Sequence, residues 1–106
     1  MSRFRFSPFC GVDFSHMLEV WGNGNADRGF ALFNAVTMRL VHARRKHPQF
    51  ANGPEHGLAV IGCEFGELAL AVEAETAERQ RDEALDVVAT ALRFYGGEWE
   101  GWPDQG

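Results

Sequence analysis

One apolar run, residues 58–72, constrains the fold of this chain more than any other feature, because it is long enough for about four helical turns. Its only charges, Glu64 and Glu67, are three positions apart, so both carboxylates leave the same side of a helix. No basic residue lies three or four positions from either of them. Two like charges on a largely buried helix repel each other and lose hydration, at a cost of several kcal/mol per ion. The run therefore predicts a buried helix whose two carboxylates share a compensating cation.

Two helices are predicted before this run. Residues 13–20 fit a short helix that is closed by the turn-rich segment 21–25. The next helix has Asn25 or Asp27 as its cap and runs to about Lys46. Apolar residues recur on one of its faces and are expected to pack inward, namely Phe30, Phe33, Val36, Leu40 and Val41.

Residues 55–95 contain no proline, yet a single helix of this length would be long for a domain of 106 residues. We expect the chain to reverse in the polar stretch 73–80, with Thr76 as the N-cap of the returning helix. The predicted fold class is therefore all-α, an antiparallel helical bundle of three main helices plus a short N-terminal helix. A chain of this size is marginally stable alone, so we expect oligomerisation to complete the bundle.

The sequence is expected to form one domain over residues 1–106, with an N-terminal arm at 1–24 and a flexible tail at 97–106. Trp99 in that tail either covers an apolar patch or stays loose, whereas Phe65 and Phe94 are expected in the core. The two cysteines, Cys10 and Cys63, belong to no recognisable motif and are expected to be reduced and packed.

Segment composition and net charge indicate where the protein is located and which partners it binds. No signal peptide or membrane span is predicted, so a cytoplasmic protein with no membrane partner is expected. A net charge of −5 argues against binding nucleic acid through the overall field. It does not argue against an anionic substrate, because a bound divalent ion inverts the local charge of an acidic site.

A second acidic pair, Glu83 and Asp86, repeats the three-residue spacing of the first. Positions 64 and 86 are both eleven residues from position 75, and positions 67 and 83 are both eight residues from it. A helical hairpin that turns at residue 75 therefore places Glu64 level with Asp86. The same hairpin places Glu67 level with Glu83, so that four carboxylates form one layer between two antiparallel helices.

Four oxygen donors without a thiol or an imidazole suit Mg²⁺, or alternatively Mn²⁺, better than Zn²⁺. Magnesium keeps several waters and prefers to share its coordination sphere with the phosphates of a substrate. Such an ion can polarise a phosphoryl oxygen and lower the pKa of a bound water. The donor set therefore predicts hydrolysis of a phosphoanhydride.

The pattern Glu64-x-x-Glu67 followed by Glu83-x-x-Asp86 resembles the ExxE and ExxD signature of the MazG-like, all-α nucleoside triphosphate pyrophosphohydrolases. The similarity extends over roughly residues 56–95. It implies magnesium-dependent cleavage of a nucleoside triphosphate between the α and β phosphates, which yields a monophosphate and pyrophosphate. It further implies that the four acids ligate the metal, that Glu64 or Glu67 orients or deprotonates the water, and that the protein is a homodimer or homotetramer.

Members of that family commonly carry a basic segment after the second motif that holds phosphates, and this chain has none. The available substitutes are Arg93 and the basic cluster at the end of the second helix, Arg44, Arg45 and Lys46, although solvated helix-end charges are at least as good an interpretation. His56 falls on the same side as Glu64, eight positions earlier, and is a further candidate for contact with a nucleotide, with a surface or capping role as its alternative.

Three alternatives accompany this interpretation. The second acidic pair could be an ordinary solvated face on which Arg79 pairs with Glu83. The protein could be a catalytically silent relative that keeps a helical dimer as an interaction module. It could also be a helical nucleic-acid binder that uses its basic residues around positions 39–46, which its net acidity disfavours.

Overall fold

The computed structural model describes residues 13–99, and this part of the chain is all-α. Within residues 13–99 a short helix precedes three longer ones: α1 (Phe14–Trp21), α2 (Ala26–Lys46), α3 (Pro54–Ala74) and α4 (Ala77–Tyr95). An isolated parallel bridge joins Ala51 to Trp99, and residues 13–99 contain no strand. Of the arm predicted for residues 1–24, residues 1–12 lie outside the described residues, and residues 14–21 form α1.

Side-chain caps fix where the first two helices begin. The Asp13 carboxylate accepts a hydrogen bond from the backbone N–H of His16 at 2.8 Å and caps α1. The Asn25 side chain accepts one from the backbone N–H of Arg28 at 2.9 Å, so Asn25 rather than Asp27 caps α2. Both caps satisfy backbone donors that have no partner inside a helix.

The predicted chain reversal between α3 and α4 is confirmed. Glu75 leaves α3 in an extended conformation, and the Thr76 hydroxyl accepts a hydrogen bond from the backbone N–H of Arg79 at 3.2 Å. Only residues 75 and 76 lie between the two helices. α3 and α4 consequently pack against each other as an antiparallel hairpin.

The described chain divides between Thr37 and Met38 into two compact units. In the first unit, the backbones of α1 and α2 meet at Gly22 and Gly29, both of which are buried. A Cβ atom at Gly29 would lie 1.7 Å from the carbonyl oxygen of Leu18, so only glycine fits there. The rings of Trp21 and Phe33 pack edge to face at 5.3 Å in the same unit.

In the second unit, a small aromatic core lies where the segment after α2 meets the end of α4. Phe50, Ala51 and Trp99 are buried, and Phe94 packs against them. The rings of Phe94 and Trp99 are 5.3 Å apart. Trp99, at the start of the predicted tail, therefore covers an apolar patch. Residues 100–106 lie outside the described part.

Much of the apolar surface of α3 is exposed, which differs from the sequence prediction. Phe65 is 62% exposed, and only Gly57 and Ala71 are fully buried on this helix. Phe30 on α2 is also exposed, and Cys63 is an exposed free thiol rather than a packed one. Among residues 13–99, no helix combines the length and apolar character needed to cross a membrane.

Candidate metal centre

The α3–α4 hairpin brings three of the four predicted carboxylates together. One oxygen each from Glu64, Glu83 and Asp86 lies within 4.8 Å of the other two. Glu64 and Asp86 are half-buried, whereas Glu83 is only 6% exposed. Glu64 lies on α3, whereas Glu83 and Asp86 lie on α4. The tight turn at residues 75–76 therefore determines how close the three acids come to one another.

The fourth predicted carboxylate, that of Glu67, lies outside this group. Glu67 is exposed, but it lines the same cavity as Glu64 and Asp86. Glu67 lies about one turn further along α3 than Glu64. Glu67 is therefore placed to contact a molecule in the cavity.

The two carboxylate oxygens of the buried Glu83 have different surroundings. Its Oε2 accepts a hydrogen bond from an Arg79 NH2 group at 2.5 Å, which is the helical ion pair considered as an alternative. Its Oε1 is buried and has no hydrogen-bond partner among the described residues. A buried carboxylate oxygen without a partner loses its hydration at substantial cost. The ion pair with Arg79 thus satisfies only half of this carboxylate, and a cation would satisfy the rest.

Burial raises the pKa of the Glu64 carboxyl above its usual value. The negative charges of Asp86, Glu67 and Glu83 raise it further, and the ammonium group of Lys46 acts in the opposite direction. The folded chain without a cation therefore resists ionisation of Glu64, as expected for a carboxylate whose neighbours repel it.

This raised pKa predicts how Glu64→Gln changes stability with pH. Because the pKa is higher in the folded chain than in the unfolded one, the contribution of Glu64 to stability is full below about pH 4.3 and is lost as the pH rises through the raised value. At pH 7 and without divalent ions, Glu64→Gln should raise the melting temperature by roughly a few degrees, because the amide removes the repulsion among the acids.

Thermal denaturation followed by circular dichroism in chelator at pH 7 and at pH 3.5 measures this effect. The gain should shrink at the lower pH, where the native carboxyl is protonated. A lower melting temperature for Glu64→Gln than for the native chain at pH 7 would show that repulsion among the acids is not significant.

An arginine from α2 contacts the same acidic turn of α4. One terminal nitrogen of Arg39 donates to Asp86 Oδ1 at 2.6 Å and to the backbone carbonyl of Asp82 at 3.1 Å, and the other donates to Asp82 Oδ1. Partial burial alone would lower the pKa of Arg39, but its hydrogen bonds to the two acids raise it. The hydrogen bond from Arg39 also lowers the pKa of Asp82.

This contact was not predicted from the sequence, because Arg39 and Asp82 are 43 positions apart and no local signal pairs them. An indirect signal is a polar stripe on α2, in which Arg39, His42 and Lys46 follow one another at helical spacing. All three line the cavity with the acids of the site.

The cavity has a volume of about 940 Å³ and is lined by both acidic and basic side chains. Three of the predicted substrate-binding residues line it, namely Lys46, His56 and Arg93, whereas Arg44 and Arg45 do not. His56 Nδ1 accepts a hydrogen bond from the backbone N–H of Asn52 at 3.0 Å. A neutral His56 therefore carries its proton on Nε2, which is a free donor group for a ligand.

Arg93 is only 3% exposed, and each of its guanidinium nitrogens has a partner within the chain. Nε donates to Glu98 Oε1 at 2.6 Å, while NH1 and NH2 donate to the carbonyls of Ala43 at 3.2 Å and His47 at 2.7 Å. The guanidinium also lies 5.5 Å from the centre of the Phe50 ring. This geometry favours a structural tie between α4 and the end of α2 over the predicted contact with phosphate.

Comparisons of this chain with protein-family models, with curated proteins and with solved structures found no match.

Proposed function

We propose that this protein is a magnesium-dependent nucleoside triphosphate pyrophosphohydrolase of the MazG-like kind, which cleaves between the α and β phosphates. The observation that carries the proposal is the group formed by Glu64, Glu83 and Asp86, with ligand oxygens within 4.8 Å of one another and one buried Glu83 oxygen left without a partner among the described residues. The resemblance of the two acidic motifs to those of that family supplies the reaction.

The donor set fits the proposed ion. Glu64, Glu83 and Asp86 offer only carboxylate oxygens, which suit Mg²⁺ or Mn²⁺ better than Zn²⁺. When bound, the ion would polarise a phosphoryl oxygen and lower the pKa of a water. Glu67 lines the cavity outside the three-acid group, and we assign it the role of orienting or deprotonating the attacking water.

Basic side chains in the same cavity would hold the phosphates. The Lys46 ammonium and the His56 Nε2–H group are two such donors in the lining, and neither donates a hydrogen bond to another described residue. A volume of about 940 Å³ lies within the range of small-molecule sites and is large enough for a nucleotide. Arg45, in the last turn of α2 but outside the lining, would attract the substrate only from a distance.

Pyrophosphate release across a panel of ribo- and deoxynucleoside triphosphates, with Mg²⁺ and with chelator, tests the proposal. At least one triphosphate should yield equal amounts of pyrophosphate and monophosphate, only when Mg²⁺ is present. Separation of the products by anion-exchange chromatography distinguishes this cleavage from loss of the terminal phosphate. No magnesium-dependent turnover with any nucleotide would reject the enzyme and favour the silent interaction module.

We further propose that the protein is a homodimer or homotetramer that buries the exposed face of α3. Four large apolar side chains of this helix are each at least 60% exposed, namely Leu58, Phe65, Leu70 and Val72. Exposed apolar surface of this extent is typical of helices that pack against a partner. Light scattering at micromolar concentration should give a multiple of the chain mass, and Phe65→Glu should shift it towards the monomer. A stable monomer of the native chain would reject the oligomer.

A further inference from the structure

Arg39 makes the only contact from α2 to a candidate ligand of the metal centre that we find in residues 13–99. It donates to Asp86 Oδ1 at 2.6 Å, while its remaining bonds go to the side chain and the backbone carbonyl of Asp82. Asp82 and Asp86 are four positions apart on α4, so a single guanidinium spans one helical turn. Glu83, the buried member of the acidic group, lies within that turn.

The contact leaves one oxygen of Asp86 available to a cation. A carboxylate has two oxygens, and Arg39 bonds to Oδ1, while Asp86 Oδ2 accepts no hydrogen bond from the described residues. A carboxylate held through one oxygen cannot rotate freely, so the orientation of the other oxygen is fixed before a cation arrives. Ligands held in this way bind metal more tightly, since less freedom is lost on binding.

The positive charge of Arg39 repels a cation, but the ion pair of Arg39 with Asp82 offsets that repulsion. Arg39 also bonds to the Asp82 carboxylate, which is not part of the three-acid group, and the pair is formally neutral. The remaining effect of Arg39 on the site is therefore mainly geometric. Its 21% exposure places the contact at the cavity wall, where solvent screens it only in part.

We propose that Arg39 is a positioning residue of the metal centre, which holds the Asp86 carboxylate in its ligating orientation and anchors the α4 turn between Asp82 and Asp86 to α2. This inference rests on the proposed function, because it requires that the acids bind a cation. Arg39 itself is not assigned a contact with the substrate.

Titration calorimetry of the metal-free full chain with Mn²⁺ as the probe tests the proposal. Arg39→Gln should weaken Mn²⁺ binding by about 10–100-fold, the range found when groups that orient metal ligands are removed. Arg39→Lys should recover part of the loss, since an ammonium can bond to one of the two acids but not span both. Arg81→Gln is the matched control, because Arg81 is exposed on the same turn of α4 and forms no ion pair among the described residues.

A second variant separates positioning from a general loss of stability. Asp82→Asn leaves Arg39 in place but removes its neutralising partner, so it should also weaken Mn²⁺ binding, and it serves as the test if Arg39→Gln does not fold. Circular dichroism at the titration temperature establishes folding for each variant.

The outcomes distinguish this inference from the proposed function. If the native chain binds Mn²⁺ and releases pyrophosphate while Arg39→Gln binds Mn²⁺ equally well or more tightly, the positioning role is wrong and the proposed function stands. If Arg81→Gln weakens binding as much as Arg39→Gln does, the effect is one of net charge and the positioning role is again rejected. A native chain that binds no Mn²⁺ and hydrolyses no triphosphate overturns both.

Discussion

Glu64→Gln and Asp86→Asn are each expected to lower magnesium-dependent pyrophosphate release by at least about 100-fold, because each replaces a charged ligand oxygen by a neutral amide. The two residues lie on opposite helices of the hairpin and contribute to the same group of oxygens within 4.8 Å. Steady-state assays at saturating Mg²⁺ measure the effect on the rate. Raising the Mg²⁺ concentration should recover only part of the loss, since the geometry of the site also changes.

Two exposed acids on the same helices provide matched controls. Glu73→Gln on α3 and Glu78→Gln on α4 remove one negative charge each, and neither residue lines the cavity. Both controls should keep native activity. Unchanged turnover in both Glu64→Gln and Asp86→Asn would end the catalytic assignment.

Stability measurements distinguish a loss of activity caused by the missing ligand from one caused by unfolding. Glu64→Gln is expected to stabilise the metal-free chain at pH 7, because burial and neighbouring charges oppose the ionised form of Glu64. An inactive variant that melts at a higher temperature than the native chain cannot owe its inactivity to loss of the fold. Such an opposition between activity and stability is typical of functional sites that concentrate like charges.

Arg93→Met is expected to destabilise the chain by about 1–3 kcal/mol, the cost of leaving hydrogen-bond acceptors around a buried side chain without a partner. The methionine side chain has a similar length but cannot donate to Glu98 or to the carbonyls of Ala43 and His47. These acceptors would lose partners in an environment where Arg93 is only 3% exposed. Urea denaturation followed by circular dichroism measures the loss.

The control for Arg93 is Arg44, which binds the same Glu98 carboxylate from an exposed position. Arg44→Met should cost no more than about 1 kcal/mol, since exposed ion pairs contribute little. If Arg93→Met instead has native stability and raises the KM for the nucleotide, then Arg93 contacts substrate as the sequence analysis suggested.

The reversal and the acidic group could be predicted from the sequence because both depend on spacing along a single hairpin. The polar stretch around Thr76 indicated the turn, and equal distances from position 75 aligned Glu64 with Asp86. Helical geometry then determines which side chains share a face. The helix bounds followed for the same reason, since caps such as Asp13 and Asn25 are local signals.

The contacts from α2 could not be predicted in this way. Arg39 and Arg93 each join residues more than 40 positions apart, and no local signal specifies which carboxylate or carbonyl an arginine will meet. The sequence suggested a phosphate contact for Arg93 and a nucleic-acid contact for the basic residues 39–46, not these contacts within the chain. The exposure of Phe65 was missed for a different reason, because an apolar stripe shows that a face is suited to burial but not whether the same chain supplies the cover.

The shortness of the link between α3 and α4 has a consequence for how this protein can vary. Only Glu75 and Thr76 join the two helices, so the link is too short to accommodate a change of length without moving α4. One inserted residue would rotate α4 by about 100° around its own axis and carry Glu83 and Asp86 away from Glu64. Substitutions at these two positions are therefore tolerated as long as residue 76 can still cap α4. An insertion or deletion would separate the three acids.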